Sequence, residues 1–423
     1  MSGIFALSVA VIGCSEAGPG GEDRDNSTSS LPGPLEPKPP APPGAVGAPA
    51  TPAGSTAPGT ADPGTGVGGP LGPEGPSTAL PIGPLEPSVP VDPGPPVPMQ
   101  PKLRSAAELT GRLVGVAFNG RRMNEGELAG REFNYVTGEN EMKWNAMRPA
   151  QGVFDFTRSD QVMALAEQYG MQVKGHTLVW YRQLPRWVAS LTDADTVRSE
   201  MLEHIETVVA RYRGRIHAWD VVNEAWDDAG TAMRPLVFQT YLGDGYIDEA
   251  FRAARAADPD AKLYYNDFGS EGMSEKANNV YEMLRGMLMR GVPIDGVGLQ
   301  LHVWSVDAGP SRDELEQNMQ RLADLGLEVV LSEIDVSSCG NGDLAERLET
   351  QRQRYYNLTA ACVAQPACKA VSVWGISDSF SWLNGMPANA GCTEGQQPLG
   401  LMFDADYAKK PAYYGVFDAL MGL

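Results

Sequence analysis

This 423-residue sequence predicts an α/β fold, a (β/α)8 TIM barrel preceded by a disordered Pro/Gly-rich linker. Three observations carry that prediction. From about residue 103 onward, short apolar runs rich in Val, Leu and Ile alternate with longer amphipathic stretches, as successive βαβ units require. Eight such apolar runs occur, and roughly 320 residues of foldable chain suit one large barrel of ~250 residues with insertions. Two of the runs end in glutamate, and the downstream end of a barrel strand is where polar side chains have a cleft to face.

Along the chain, the segment MSGIFALSVAVIGC (1–14) comes first. Its apolar stretch, residues 4–12, is too short to span a bilayer and fits the core of a secretion signal. Val11-Ile12-Gly13-Cys14 resembles a lipobox, which makes Cys14 a candidate for lipidation and the N-terminus a possible membrane anchor. Residues 15–102 follow as linker. The stretch from 15 to 100 holds 23 of the 34 prolines and almost no aromatic residue, so it cannot bury enough apolar surface to offset its ordering entropy. Gly64-Thr65-Gly66-Val67-Gly68-Gly69 matches a dinucleotide-binding pattern there, but with no strand before it or helix after it the match fails its structural context.

Residues 103–423 form the barrel domain. The predicted strands are 112–118, 133–137, 171–180, 216–222, 261–266, 296–301, 328–333 and 370–375. Each is a run that reads as parallel sheet buried on both faces. Helices are predicted between them over 159–169, 196–212, 246–257, 275–290, 312–325, 343–361 and 412–421, with Asp195 and Ser311 at N-cap positions.

A net charge of −20 argues against nucleic acid, whose phosphates need a basic face, and leaves a neutral polysaccharide acceptable. Beyond Cys14, four cysteines remain: Cys339, Cys362, Cys368 and Cys392. An even number in an exported chain permits two disulfides with three possible pairings. Closeness in sequence favours Cys362–Cys368 with Cys339–Cys392. There is no CxxC pair and there are only four histidines, so no metal is expected.

The chemistry concentrates at strand ends. In WDVVNEAW (219–226) a buried strand finishes in Asn223 and Glu224, which must meet something polar because unpaired buried polar groups cost several kcal/mol. In VVLSEIDV (329–336), Glu333 ends a strand and Asp335 follows it. His302, after the sixth strand, can donate to Glu333 while Asp335 orients the imidazole from its other nitrogen. Two carboxylates facing one another are the minimum equipment for glycosidic-bond cleavage. Around them, Glu139, Asn140, Lys143, His176 and Gln183 are interleaved with Trp144 and Trp180, and Trp374 and Trp382 follow the eighth strand. Forked hydrogen bonders beside flat aromatic faces suit sugar rings, although about half of the eight tryptophans are expected in the core.

Seven blocks in order make the chain resemble the family-10 glycoside hydrolases, the retaining endo-β-1,4-xylanases: FNYVTGENEMKW (133–144), GHTLVWYRQLPRW (175–187), WDVVNEAW, YNDF (265–268), DGVGLQLHV (295–303), SEID (332–335) and VWGISD (373–378). The resemblance implies hydrolysis of internal linkages of xylan by double displacement, with no cofactor. Glu224 would be the general acid/base and Glu333 the nucleophile, supported by His302 and Asp335. Asn223 would contact the sugar next to the scissile bond. Glu139, Asn140, Lys143, His176, Trp180, Gln183, Gln300, Trp374 and Trp382 would line the glycone side. The Cys362–Cys368 spacing matches a disulfide of many members. Tyr181 stands where members usually have histidine, Leu301 where a smaller residue is frequent, and Ser332 where Thr is usual. A β-1,4-glucanase or mannanase on a related barrel, and a non-catalytic cell-anchored polysaccharide-binding protein, are the alternatives. The expected partners are xylan or another plant cell-wall β-1,4-glycan and no nucleic acid, for a monomer that is secreted or lipid-anchored at the cell surface.

Overall fold

The computed structural model describes residues 102–386 and 390–423. The readings for 1–14, with Cys14, and for the linker up to residue 101 lie outside the described residues.

Eight parallel strands close into a barrel: β1 (Leu113–Phe118), β2 (Tyr135–Gly138), β3 (Gln172–Val179), β4 (Ala218–Asn223), β5 (Lys262–Asp267), β6 (Gly296–Leu299), β7 (Glu328–Val336) and β8 (Cys368–Val373). Each pairs in parallel with the next, and β8 returns to β1 with Leu113 opposite Ala370, so no edge is left open. Helices occupy the connections, as right-handed crossovers between parallel neighbours demand.

Tyr135, Ala218, Tyr264, Val330 and Ala370 come from five different strands yet form one buried cluster. Only the barrel interior lets side chains from so many strands meet, and these residues plug its floor. Outside the barrel, strand residues such as Trp219, Val221 and Val329 join helix residues such as Ile205, Val208 and Leu284 in the main core. Gly175 allows that packing: a Cβ there would lie 2.1 Å from the Trp219 ring.

The predicted elements are present with shifted ends. Helix Ala194–Arg211 begins two residues before the predicted start because Asp193, not Asp195, accepts the Thr196 N–H. Asp195 is an exposed first-turn residue instead. Ser311 caps Arg312–Asp324 in a full capping box with Glu314. The sixth predicted strand stops at Leu299 rather than 301, because Leu301 adopts φ +61° and breaks the extended run. A two-residue strand, His302–Val303, then resumes beside β7. Several short helices lie outside the predicted ranges, among them Leu103–Thr110, Gly126–Glu132 and Val237–Leu242.

Two disulfides join Cys339 to Cys392 and Cys362 to Cys368, the pairing that sequence proximity favours. Among the described residues no helix is long and apolar enough to cross a membrane.

Candidate active site

All of the site chemistry gathers at the C-terminal ends of the strands. At the end of β4 the chain turns sharply, and Glu224 takes φ +54°, a conformation that costs a non-glycine residue ~1 kcal/mol or more. The turn is held from β5: the Glu224 N–H donates to the Asn266 carbonyl at 2.8 Å, and the Ala225 N–H to the Tyr265 hydroxyl at 3.1 Å. The Glu224 side chain lines the cleft beyond that turn. Its Oε1 accepts from Asn223 Nδ2 at 3.1 Å and from Gln300 Nε2 at 3.0 Å.

Glu333, on β7, is buried within the same network. Asn266 Nδ2 donates to Glu333 Oε1 at 2.7 Å and to Asn223 Oδ1 at 2.7 Å. A chain of amides therefore links the surroundings of the two carboxylates. Ser332 Oγ donates to Asn266 Oδ1 at 2.7 Å and fixes which way the amide points. Gly298 leaves room for it, since a Cβ there would lie 2.0 Å from that oxygen. On the other side, His302 Nε2 stands 3.3 Å from Glu333 Oε2 and Nδ1 stands 3.0 Å from Asp335 Oδ1. Asp335 Oδ2 in turn accepts from Trp382 Nε1 at 2.7 Å.

These contacts decide the charges. Burial pushes the Glu333 carboxyl up, but the His176 charge, the hydrogen bond and charge of His302, and the Lys174 ammonium outweigh it and bring the pKa down to about 2. Burial disfavours the charged His302 ring, yet Asp335 and Glu333 flank both nitrogens and hold its pKa well above the ordinary histidine value. His302 is thus an imidazolium donating to a carboxylate on each side.

Beneath Glu333, Lys174 Nζ lies 2.7 Å and His176 Nδ1 2.8 Å from Asp220 Oδ2, all three fully buried inside the barrel. His176, Asp220 and Glu333 are close enough to hold a metal ion. The Lys174 ammonium already supplies positive charge to Asp220, so the donor set reads as an ion-paired column rather than a cation site.

A cleft of about 710 Å3 opens above the two carboxylates. Glu139, Asn140, Lys143, His176, Trp180, Gln183, Gln300, Trp374 and Trp382 all line it with Glu224, His302 and Glu333, whereas Asn223 and Asp335 stand behind its wall. Asn140 Oδ1 accepts from Lys143 Nζ at 3.2 Å and Gln183 Nε2 at 2.9 Å, and Lys143 Nζ rides 4.7 Å over the Trp180 ring. Trp180, Trp304, Trp374 and Trp382 line the cleft, while Trp144 and Trp219 are buried and Trp187 and Trp226 pack on the core.

The sequence reading missed several participants. Asn266, which bonds toward both carboxylates, ends a buried strand in a polar residue, the very signal that singled out Asn223. Trp304 faces Trp382 edge-on at 5.4 Å. Arg234 stacks 4.1 Å over the Tyr181 ring and donates to the Glu224 carbonyl at 3.3 Å, a pairing across distant chain that no local motif announces.

A closed parallel barrel with two carboxylates in one open, tryptophan-lined trough, one of them held ionised, defines a glycoside hydrolase. Comparison with known proteins sharpens the class. The profile of glycosyl hydrolase family 10 matches residues 102–419. An endo-1,4-beta-xylanase of Agaricus bisporus is 38% identical over 288 residues, spanning 68% of this chain and 83% of that protein. Endo-1,4-beta-xylanase B of Thermotoga neapolitana is 37% identical, spanning 69% and 81%. Among solved structures, xylanase 10B from Thermotoga petrophila in complex with xylobiose has a TM-score of 0.72 and 35% identity, covering 77% of this chain and 98% of that one. The chain belongs to glycosyl hydrolase family 10.

Proposed function

We propose that this protein is a retaining endo-1,4-β-xylanase that cuts internal β-1,4-xylosidic linkages by double displacement. The observation that carries the reading is the opposite treatment of two carboxylates in one cleft. Glu333 is surrounded by donors and cations, as a nucleophile must be. Among the described residues, the hydrogen bonds to the Glu224 carboxyl come from two neutral amides and fall on one oxygen, so in this reading its other oxygen carries a proton toward substrate.

In the proposed reaction Glu333 attacks the anomeric carbon while Glu224 protonates the departing oxygen. The resulting glycosyl ester is hydrolysed by water that Glu224, now a carboxylate, deprotonates. His302 supplies positive charge to Glu333 in the resting state and to the departing carboxylate in the second step. Lys143, Asn140, Gln183 and Glu139 present donors and acceptors to ring hydroxyls beside the Trp180, Trp374 and Trp382 faces.

The substrate assignment is tested by reducing-sugar release from xylan, cellulose and mannan at equal enzyme loading. Release from xylan should exceed the other two by at least about tenfold, the scale on which a shaped pocket separates similar substrates. Equal or greater release from cellulose or mannan would transfer the assignment to those glycans. Tight xylan binding with no release would make this a binding protein.

The pH profile is a separate test. Glu333 must be ionised to attack, so activity falls as pH drops through its pKa, which lies near 2 in the intact site. Replacing His302 with alanine removes one hydrogen bond and one positive charge, so the Glu333 pKa rises. The acidic limb of kcat/KM should therefore move to higher pH. An unchanged limb would deny His302 this role.

Export fits the two disulfides, which persist in oxidising compartments. Mass spectrometry of the mature N-terminus distinguishes a lipid on Cys14 from a free secreted end.

A further inference from the structure

The break after β6 raises a question that the catalytic residues do not answer. Gln300 and His302 are the two side chains of that segment that reach the carboxylates, one bonding to Glu224 and the other facing Glu333. Between them sits Leu301, 1% exposed and at φ +61°. A buried leucine in the left-handed region costs ~1–3 kcal/mol and persists only where its surroundings enforce it. The neighbouring backbone is tied down on both sides: the Gln300 N–H donates to the Asp267 carbonyl at 3.0 Å, and the Gln300 carbonyl accepts from the Glu333 N–H at 3.1 Å. The kink turns the Leu301 N–H out of the sheet ladder, and a buried backbone donor needs an acceptor.

That acceptor is Glu271, a carboxylate only 7% exposed and outside the reacting pair. Its Oε1 accepts from the Leu301 N–H at 3.0 Å and from the Gly269 N–H at 3.0 Å. The loop bearing it is itself braced, because Asn318 Nδ2, on the helix after the kinked segment, donates to the Ser270 and Glu271 carbonyls at 2.8 and 3.0 Å. We infer that Glu271 is a positioning residue for the hydrolysis: by holding the Leu301 kink it sets where Gln300 and His302 meet the two carboxylates. The inference rests on the catalytic reading of Glu224 and Glu333.

The reach of this contact follows from geometry. Leu301 lies one residue from each of the two side chains, so a change in its backbone rotates both at once. A displacement of about 1 Å at a reacting centre can cost 10²-fold in rate. Most of the sugar-binding wall, with Trp180, Lys143, Asn140 and Gln183, lies away from this kink, and only Gln300 and His302 of the cleft lining flank it, so the loss should fall mainly on kcat rather than on KM.

The experiment compares Glu271→Ala, Glu271→Asp and Glu271→Gln on xylan and on an aryl xylobioside, well below each variant's Tm. Glutamine keeps an oxygen where both N–H groups point. Alanine removes it, and aspartate withdraws it by one methylene while keeping the charge, which also serves if the alanine variant does not fold. Glu271→Ala and Glu271→Asp should lose about 10- to 100-fold in kcat with KM within about threefold. Glu271→Gln should stay within about threefold of the parent in both. A kcat within twofold of the parent for Glu271→Ala or Glu271→Asp, at whatever Tm, overturns the inference. So does a loss confined to KM, or a Glu271→Gln variant as slow as Glu271→Ala. An unaffected Glu271→Ala beside an inactive Glu333→Ala refutes the positioning role alone, whereas an active Glu333→Ala removes the reading beneath it.

Discussion

Replacing Glu333 with alanine is expected to abolish turnover of xylan, lowering kcat by at least ~10⁴-fold, because the covalent half of the reaction loses its nucleophile. The variant should fold, since the change removes a charged group without adding volume. It does leave His302 with one carboxylate instead of two and frees the Asn266 amide that donated at 2.7 Å. What distinguishes a missing nucleophile from a damaged site is chemical rescue. Azide is small enough for the space the carboxylate vacates, and it attacks the anomeric carbon from the same side. With an activated aryl glycoside as substrate it should restore part of the rate and give a glycosyl azide of inverted configuration, since only one displacement has occurred. The check is product configuration by NMR alongside the rate. Parent-like activity on xylan without azide would sink the nucleophile assignment, and an azide adduct of retained configuration would point to a different residue on that face.

Much of this site was legible because its strands are buried on both faces and so write their polar residues conspicuously. A run such as WDVVN has no reason to carry Asp and Asn unless those side chains meet partners, and Asp220 proves to be paired inside the barrel and Asn223 bonded beside the two carboxylates. The same logic applied to LYYND would have found Asn266. What the sequence conceals is of another kind. The kink at Leu301 follows from no local propensity, since leucine favours neither a break nor a positive φ. It is imposed by tertiary contacts to Glu271 and Asp267, some 30 residues away. Arg234 over Tyr181 is likewise a meeting of two loops that pattern cannot foresee. Helix boundaries were misread where a competing cap stood nearby, as with Asp193 against Asp195. Asp193 won because its carboxylate reaches the N–H of the residue three positions on, and a residue already inside the first turn cannot do that.

The second large effect is expected at Glu224, and it should depend on the leaving group. A xylosyl unit departs as a poor leaving group and needs a proton in the first transition state. Positioned acids contribute ~10²–10⁴-fold, so Glu224→Ala should lose about that much on xylan. A dinitrophenyl xylobioside departs as a stabilised phenolate and needs no proton, so its glycosylation step should be nearly spared. Its hydrolysis would then stall at the glycosyl-enzyme, because the same residue must deprotonate the incoming water, and a burst of phenolate should precede slow turnover. Azide needs no deprotonation, so it should accelerate that second step, and the adduct should keep the starting configuration because two displacements have occurred. The two alanine variants therefore predict azide products of opposite configuration from one substrate, which no general loss of stability can imitate. Equal losses on xylan and on the dinitrophenyl glycoside would contradict the acid role. The local structure bears on the choice of variant: the left-handed turn at Glu224 is held through backbone bonds to Asn266, Tyr265 and Arg234, none of which uses the carboxylate. Removing the side chain should leave the turn in place, and the measured loss then belongs to proton transfer.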